Sequence, residues 1–249
     1  MSENKLKSSL AFLAAALVAG GIIVFLIATK DYNKTARVDN PVSQPKTEKP
    51  KPTEPTFNKK LYSTDPPDSL WVVVNKKRPL PASFVPKDLI PIGGTSLQSE
   101  ASKQVKQLME DAKKDQVALK VISGYRSYQN QKNLYASYVS KDGQAAADSY
   151  SARAGHSEHQ TGLAADLGNS SGVCDLAICF ETTAGGKWLA THAYEYGFII
   201  SYAKGKEGLT DYQFEPWHIR YIGKELAAEL KKTGQTMEEF FGLPPAPRY

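Results

Sequence analysis

Residues Leu10–Ala28, LAFLAAALVAGGIIVFLIA, form a run of 19 residues without a single charge. A surface helix would interrupt such a run with a polar face, whereas this length is what an α-helix needs to cross hydrocarbon. A cleaved signal peptide has a shorter apolar stretch and a small-residue cleavage site. A lipoprotein has a cysteine just after the run, and none is there. The expectation is an uncleaved transmembrane signal-anchor over 10–28, preceded by a short cytoplasmic N-terminus over 1–9. Lysines flank the run on both sides (Lys5 and Lys7, then Lys30 and Lys34), so the positive-inside rule does not orient it.

The next stretch, NPVSQPKTEKPKPTEPTFNKK, is too poor in apolar residues to bury a core, and its prolines keep it extended. Residues 29–60 are therefore expected to be an extracellular linker. The net charge of +5 owes much to this region. Basic residues scattered among prolines are not the basic, aromatic-interleaved face of a nucleic-acid-binding domain, so no nucleic-acid partner is expected. Orientation rests on the two cysteines. Cys174 and Cys179, in CDLAIC, are too widely spaced for a zinc knuckle and lack a second pair. A local disulfide is preferred over two free thiols, and it requires an oxidising exterior. The expected location is a single-pass cell-membrane protein with its large C-terminal part on the wall side.

The folded domain is expected over 61–249. LWVVVNKK (70–77) reads as a strand from its β-branched run. Leu97, Ala101, Val105, Leu108, Met109 and Ala112 recur at helical spacing over 96–114. VALKVISGYRS reads as a strand ending at Gly124, and Leu134, Tyr135, Tyr138 and Val139 mark a helix ended near Gly143. Residues 145–170 are small and polar, hence mostly loop, with a short strand around Leu163–Leu167. A helix follows around Trp188–Tyr196 and stops at Gly197. FIISY (198–202) and HIRYI (218–222) read as strands, and KELAAELKK as a late helix. Strands and helices mix without regular βαβ alternation, which predicts an α+β domain with a mostly antiparallel sheet and flanking helices.

The chain has four histidines: His156, His159, His192 and His218. His159 lies seven residues before Asp166, and His218 lies three residues after Glu215. Each pair alone is weak, because a satisfied loop or core histidine explains it equally well. Together they make a complete set. His159, Asp166 and His218 would bind Zn²⁺, which accepts His₂–carboxylate ligation and keeps a fourth position open, and Glu215 would stay off the metal as general base. Glu158 and His156 are read as lying beside the ligands or in solvent, and His192 as structural, on the polar side of a helix.

SGYRSYQNQ (123–131), SARAGHSEHQTGLAAD (151–166), GKWLATHAYEYGFIISY (186–202) and FEPWHIRY (214–221) occur in that order. Together they resemble the VanY-type D-alanyl-D-alanine carboxypeptidase family, over about Leu70 to Leu230. That family shares its zinc fold with the hedgehog domain and lysostaphin-type enzymes, and it includes L,D-carboxypeptidases. The resemblance implies a zinc carboxypeptidase that removes the terminal D-alanine from peptidoglycan stem peptides. An L,D-carboxypeptidase acting on tetrapeptide stems is the nearer alternative, and a non-catalytic wall-binding domain the more distant one. It implies the same ligands, His159, Asp166 and His218, and the same base, Glu215. It implies further that Arg126 holds the substrate carboxylate, as a guanidinium fork does bidentately, with Gln131, Ser157 and Tyr202 near the substrate. One departure is that Ala154 stands where many relatives carry proline.

Overall fold

The computed structural model describes residues 58–249. The expected anchor over 10–28 and nearly all of the linker lie outside the described residues. Among the described residues no helix is long and apolar enough to cross a membrane.

Two antiparallel sheets carry the domain. The smaller is a hairpin of β1 (Leu89–Ile92) and β2 (Thr95–Gln98). Gly93 and Gly94 turn it with φ of 55° and 83°, the positive values that a two-residue hairpin requires. Helix α1 (Ser99–Lys114) follows directly, so the hairpin takes the first residues of the helix expected over 96–114. The larger sheet has the order β3-β4-β6-β5, built from β3 (Leu119–Ser123), β4 (Ala164–Asn169), β5 (Phe198–Ile200) and β6 (His218–Tyr221).

Side chains alternate across this sheet. Ala165 and Leu167 of β4, with Ile219 and Tyr221 of β6, join Ala101, Val105 and Leu108 of α1 in the main core. Leu189 and Trp188 of α4 (Ala184–His192) close that core. The intervening residues, Asp166, His218 and Arg220, are just as buried but lie on the opposite face. One face of the sheet is thus an apolar core, and the other holds a buried polar cluster.

The remaining helices are α2 (Tyr128–Asp142), α3 (Gln144–Tyr150), α5 (Glu207–Thr210), α6 (Lys224–Thr233) and α7 (Met237–Phe241). Three of these, α3, α5 and α7, correct the sequence expectation. Residues 144–150 form a helix instead of loop, because the run of alanines is strongly helix-favouring and Ala147 is fully buried. Helix α7 was not expected from the sequence, although Thr236 and Glu239 form a capping box at its start.

The strand expected over 70–77 does not form. Only an isolated bridge, Asn75 to Arg78, occurs there. Val73 packs on Ile222 and Leu226 while Val72 and Val74 pack with Leu80. Residues 72–75 lie buried between turns at either end, and arginines take the place of a neighbouring strand. Arg220 Nη2 donates to the carbonyls of Leu70 and Val72, both at 3.1 Å. Arg78 Nε donates to the carbonyl of Val73 at 3.1 Å.

Candidate active site

Asp166 of β4 and His218 of β6 are direct cross-strand partners, so sheet register alone sets them side by side. His218 Nδ1 lies 3.1 Å from Asp166 Oδ1. His159 Nε2 lies 3.2 Å from Asp166 Oδ2. The three donor atoms lie within 4.8 Å of one another, and all three residues are buried.

His159 arrives on a single 3₁₀ turn, Glu158–Thr161, which Ser157 caps by accepting from the His159 N–H at 3.3 Å. The outer nitrogen of each histidine is committed. His159 Nδ1 lies 2.8 Å from the carbonyl of Gly124, and a carbonyl only accepts, so Nδ1 carries the proton and Nε2 is free. His218 Nε2 lies 2.9 Å from Glu158 Oε2, so Nδ1 is the nitrogen a metal would take, in place of the proton it shares with Asp166. Outer partners of this kind orient metal-ligating imidazoles and raise their basicity. Gly124 matters for its size: the N–H of Tyr125 bonds Ser96 O at 2.7 Å, and a Cβ on Gly124 would stand 2.6 Å from that oxygen.

Glu158 is itself held by Arg220, Nη1 to Oε1 at 3.3 Å, and Arg220 is fully buried. Arg220 escaped the sequence reading. The signal was present, since in HIRY it sits two residues after His218 and therefore on the same face of the strand.

Burial alone would depress His218, but Asp166 and Glu158 outweigh it and hold the imidazole up at about 10. Burial depresses His159, with Asp166 only partly offsetting it. Burial would raise Asp166, yet His159 and His218 keep it well below the usual carboxylate range. Asp166 therefore stays ionised between the two imidazoles.

Glu215 sits in the turn before β6, where its N–H donates to Tyr202 O and its carbonyl accepts from the His218 N–H. Burial pushes its carboxyl up to about 8, opposed by His218 and reinforced by Asp166 and Glu158. Arg126 follows β3, with its backbone N–H on His159 O at 3.1 Å. Its Nη1 donates to Gln131 Oε1 at 2.9 Å and its Nη2 to Ser123 Oγ at 2.7 Å. Gln131 in turn donates to Ala152 O at 2.6 Å, so the guanidinium plane is fixed from both sides. The Tyr202 ring centroid lies 4.8 Å from that of His218 and 4.8 Å from that of Tyr212.

His159, Asp166, His218, Glu215, Arg126, Gln131, Ser157 and Tyr202 all line one cleft of about 160 Å³. His156 and His192 stand outside its lining. His156 Nδ1 lies 2.9 Å from Asn75 O and its ring packs edge-on to Tyr249, while His192 pairs with Glu195 at 3.2 Å. The loop around Ala154 is pinned, the Leu80 N–H donating to Gly155 O at 2.8 Å. Cys174 and Cys179 form a disulfide with Cα atoms 5.5 Å apart.

This donor set fits zinc: two imidazole nitrogens with fixed tautomers and one carboxylate, converging on the floor of an open cleft.

Residues 94–224 match the family profile VanY, described as D-alanyl-D-alanine carboxypeptidase. The chain is 40% identical over 191 residues, 73% of its length and 70% of the relative's, to YodJ of Bacillus subtilis (strain 168), provisionally named a carboxypeptidase. It is similar to the solved LdcB LD-carboxypeptidase, with a TM-score of 0.66 and 40% identity over 71% of this chain and 87% of that one. It is also similar to the vancomycin-resistance D,D-pentapeptidase VanY of a VanB-type cassette, solved as a variant with Zn(II). There the TM-score is 0.60 and the identity 30%, over 68% of this chain and 97% of the other. The chain belongs to the VanY family of D-alanyl-D-alanine carboxypeptidases.

Proposed function

We propose that this protein removes the C-terminal D-alanine from peptidoglycan stem peptides, with zinc held by His159, Asp166 and His218. The observation that carries this reading is the convergence of those three ligand atoms within 4.8 Å in a cleft that Glu215 and Arg126 also line. Zinc bound there would polarise the scissile carbonyl and make a water acidic.

The chain's own residues supply the rest. Arg126 receives the substrate's terminal carboxylate. Gln131 and Ser123 take only part of its five N–H donors, and the remainder are available to a bidentate anion. This restricts cleavage to the last peptide bond. Glu215 takes a proton from the attacking water and delivers it to the departing amine. Burial raises its carboxyl, and a cation bound beside it would draw it back towards the ionised form that accepts a proton. Ser157 and Tyr202 flank the peptide as it lies over the ligands.

The bond cut is either the D,D bond of a pentapeptide or the L,D bond of a tetrapeptide. The family profile supports the first reading. The higher identity to LdcB, 40% against 30% for the D,D-pentapeptidase VanY, supports the second. Mass spectrometry of synthetic stems incubated with the zinc-loaded protein decides between them. Loss of one alanine from the pentapeptide means D,D cleavage, loss from the tetrapeptide means L,D cleavage, and loss from neither rejects both. We further propose that residues 10–28 anchor the enzyme in the cell membrane with this domain facing the wall.

A further inference from the structure

The described residues expose six large aliphatic side chains, and three of them, Val173, Leu176 and Ile178, cluster in one short segment. The Cys174–Cys179 disulfide closes that segment into a loop. It is fastened from outside as well. Asp175 pairs with Lys120 of β3 at 2.6 Å, and Asn169 Nδ2 donates to Val173 O at 2.9 Å. Within the loop Cys174 and Leu176 adopt φ of 61° and 51°, values that L side chains rarely take. Covalent closure and the ion pair hold them there. Leu176 remains 48% exposed and yet lines the cleft that contains the metal ligands.

Leu134 and Tyr138 of α2 and Tyr150 of α3 line the same cleft, and the two tyrosine rings meet edge to face at 5.1 Å. None of these groups is a candidate metal ligand or the candidate base, and the Tyr150 hydroxyl is engaged by Asp142 Oδ2 at 2.6 Å. An exopeptidase holds the free terminus of its substrate at the buried end of the cleft, so the rest of the peptide must leave over the open rim. We propose that Leu176, presented by the disulfide-closed loop, forms with Leu134, Tyr138 and Tyr150 an apolar subsite. It takes the alkyl chain of a long side chain on the amino side of the cleaved bond. This inference rests on the carboxypeptidase reading above and specifies which stem peptides it prefers.

The test uses the zinc-loaded protein and stem peptides whose third residue is lysine, norleucine or alanine. The lysine and norleucine peptides should be cut alike and about tenfold better than the alanine peptide, mainly through KM, as expected when a few methylene groups leave water. In Leu176→Asn that preference should collapse, and so it should in the double variant Cys174→Ser/Cys179→Ser, which retains Leu176 but frees the loop. Circular dichroism and zinc content check that both variants remain folded and loaded. Equal cutting of the lysine and alanine peptides by the unaltered protein overturns the subsite. A norleucine peptide cut no better than the alanine one overturns it too, because charge and not alkyl packing would then be recognised. So does an unchanged preference in Leu176→Asn. Release of alanine from none of the peptides overturns the carboxypeptidase reading itself, and the subsite with it.

Discussion

Glu158 and Glu215 are both buried carboxylic acids beside His218, and their surroundings drive them apart. For Glu158 the cost of burial is outweighed by the hydrogen bond from His218 and the charge of Arg220, which hold it down at about 2. For Glu215 burial prevails and lifts it to about 8. Such a split assigns the fixed anion and the proton carrier. Glu215→Gln should keep zinc and fold while kcat falls by roughly 10²–10⁴-fold. Metal analysis together with peptide turnover checks this, and wild-type turnover rejects Glu215 as the base. Glu158→Ala leaves Arg220 as an unpaired buried cation, which should cost about 3–5 kcal/mol of stability. It also strips His218 of its outer partner, which should weaken zinc binding roughly 10–100-fold. Urea unfolding and competitive zinc titration read the two effects, and unchanged values in both would dismiss the Arg220–Glu158–His218 relay. The candidate ligands and base were legible in the sequence because the chain has only four histidines, and His159 with Asp166 and His218 with Glu215 complete one another as ligands plus base. Arg220 was not, because an arginine at a strand position reads by default as exposed.

At the scale of elements, three devices build the site: the β4–β6 register, the turn that carries His159, and the close approach of β2 to the end of β3. Gly124 makes the last of these possible. Gly124→Ala should drive β2 and β3 apart, since backbone oxygen cannot yield to a Cβ 2.6 Å away, and should lower both Tm and zinc occupancy. Retention of both would show that the contact is dispensable. Asp111 ties helix α1 to Tyr196 at the protein's edge, accepting from the Tyr196 hydroxyl and from Lys114 and Gln107 of its own helix, and is held at about 2. Its folded value lies below the ~4 of an unfolded aspartate. The stability it contributes is therefore complete above about pH 4 and fades as pH falls towards 2. Asp111→Asn should flatten that acid limb in unfolding measured from pH 5 to 2. The effect should be small, because the group is exposed and screened.

For the whole molecule, the described domain carries its own cores and the complete cleft. A fragment of the described residues, 58–249, should hydrolyse stem peptides with the kcat/KM of the full chain and, on the anchoring proposed above for residues 10–28, should stay in solution when membranes are pelleted. A large loss of kcat/KM would give the N-terminal region a part in catalysis, and sedimentation of the fragment would place the membrane contact in the domain itself. Helices α1 and α2 follow from helical spacing of apolar residues, and the strands β3, β4, β5 and β6 from short apolar runs bounded by turn residues. The segment 70–77 has strand composition and lacks a strand, because which group meets its carbonyls is decided by Arg220 and Arg78, remote or off-pattern in sequence. By itself the sequence determined the residue types that can grip a metal, the alternation that turns Asp166 away from Ala165 and Leu167 and His218 away from Ile219, and the family that combines them. Tertiary structure alone decided the register that pairs Asp166 with His218, the tautomers set by Gly124 and Glu158, and the placing of Leu176 on the cleft. Each of these is a contact between groups far apart along the chain, and no local propensity encodes a distance across a fold.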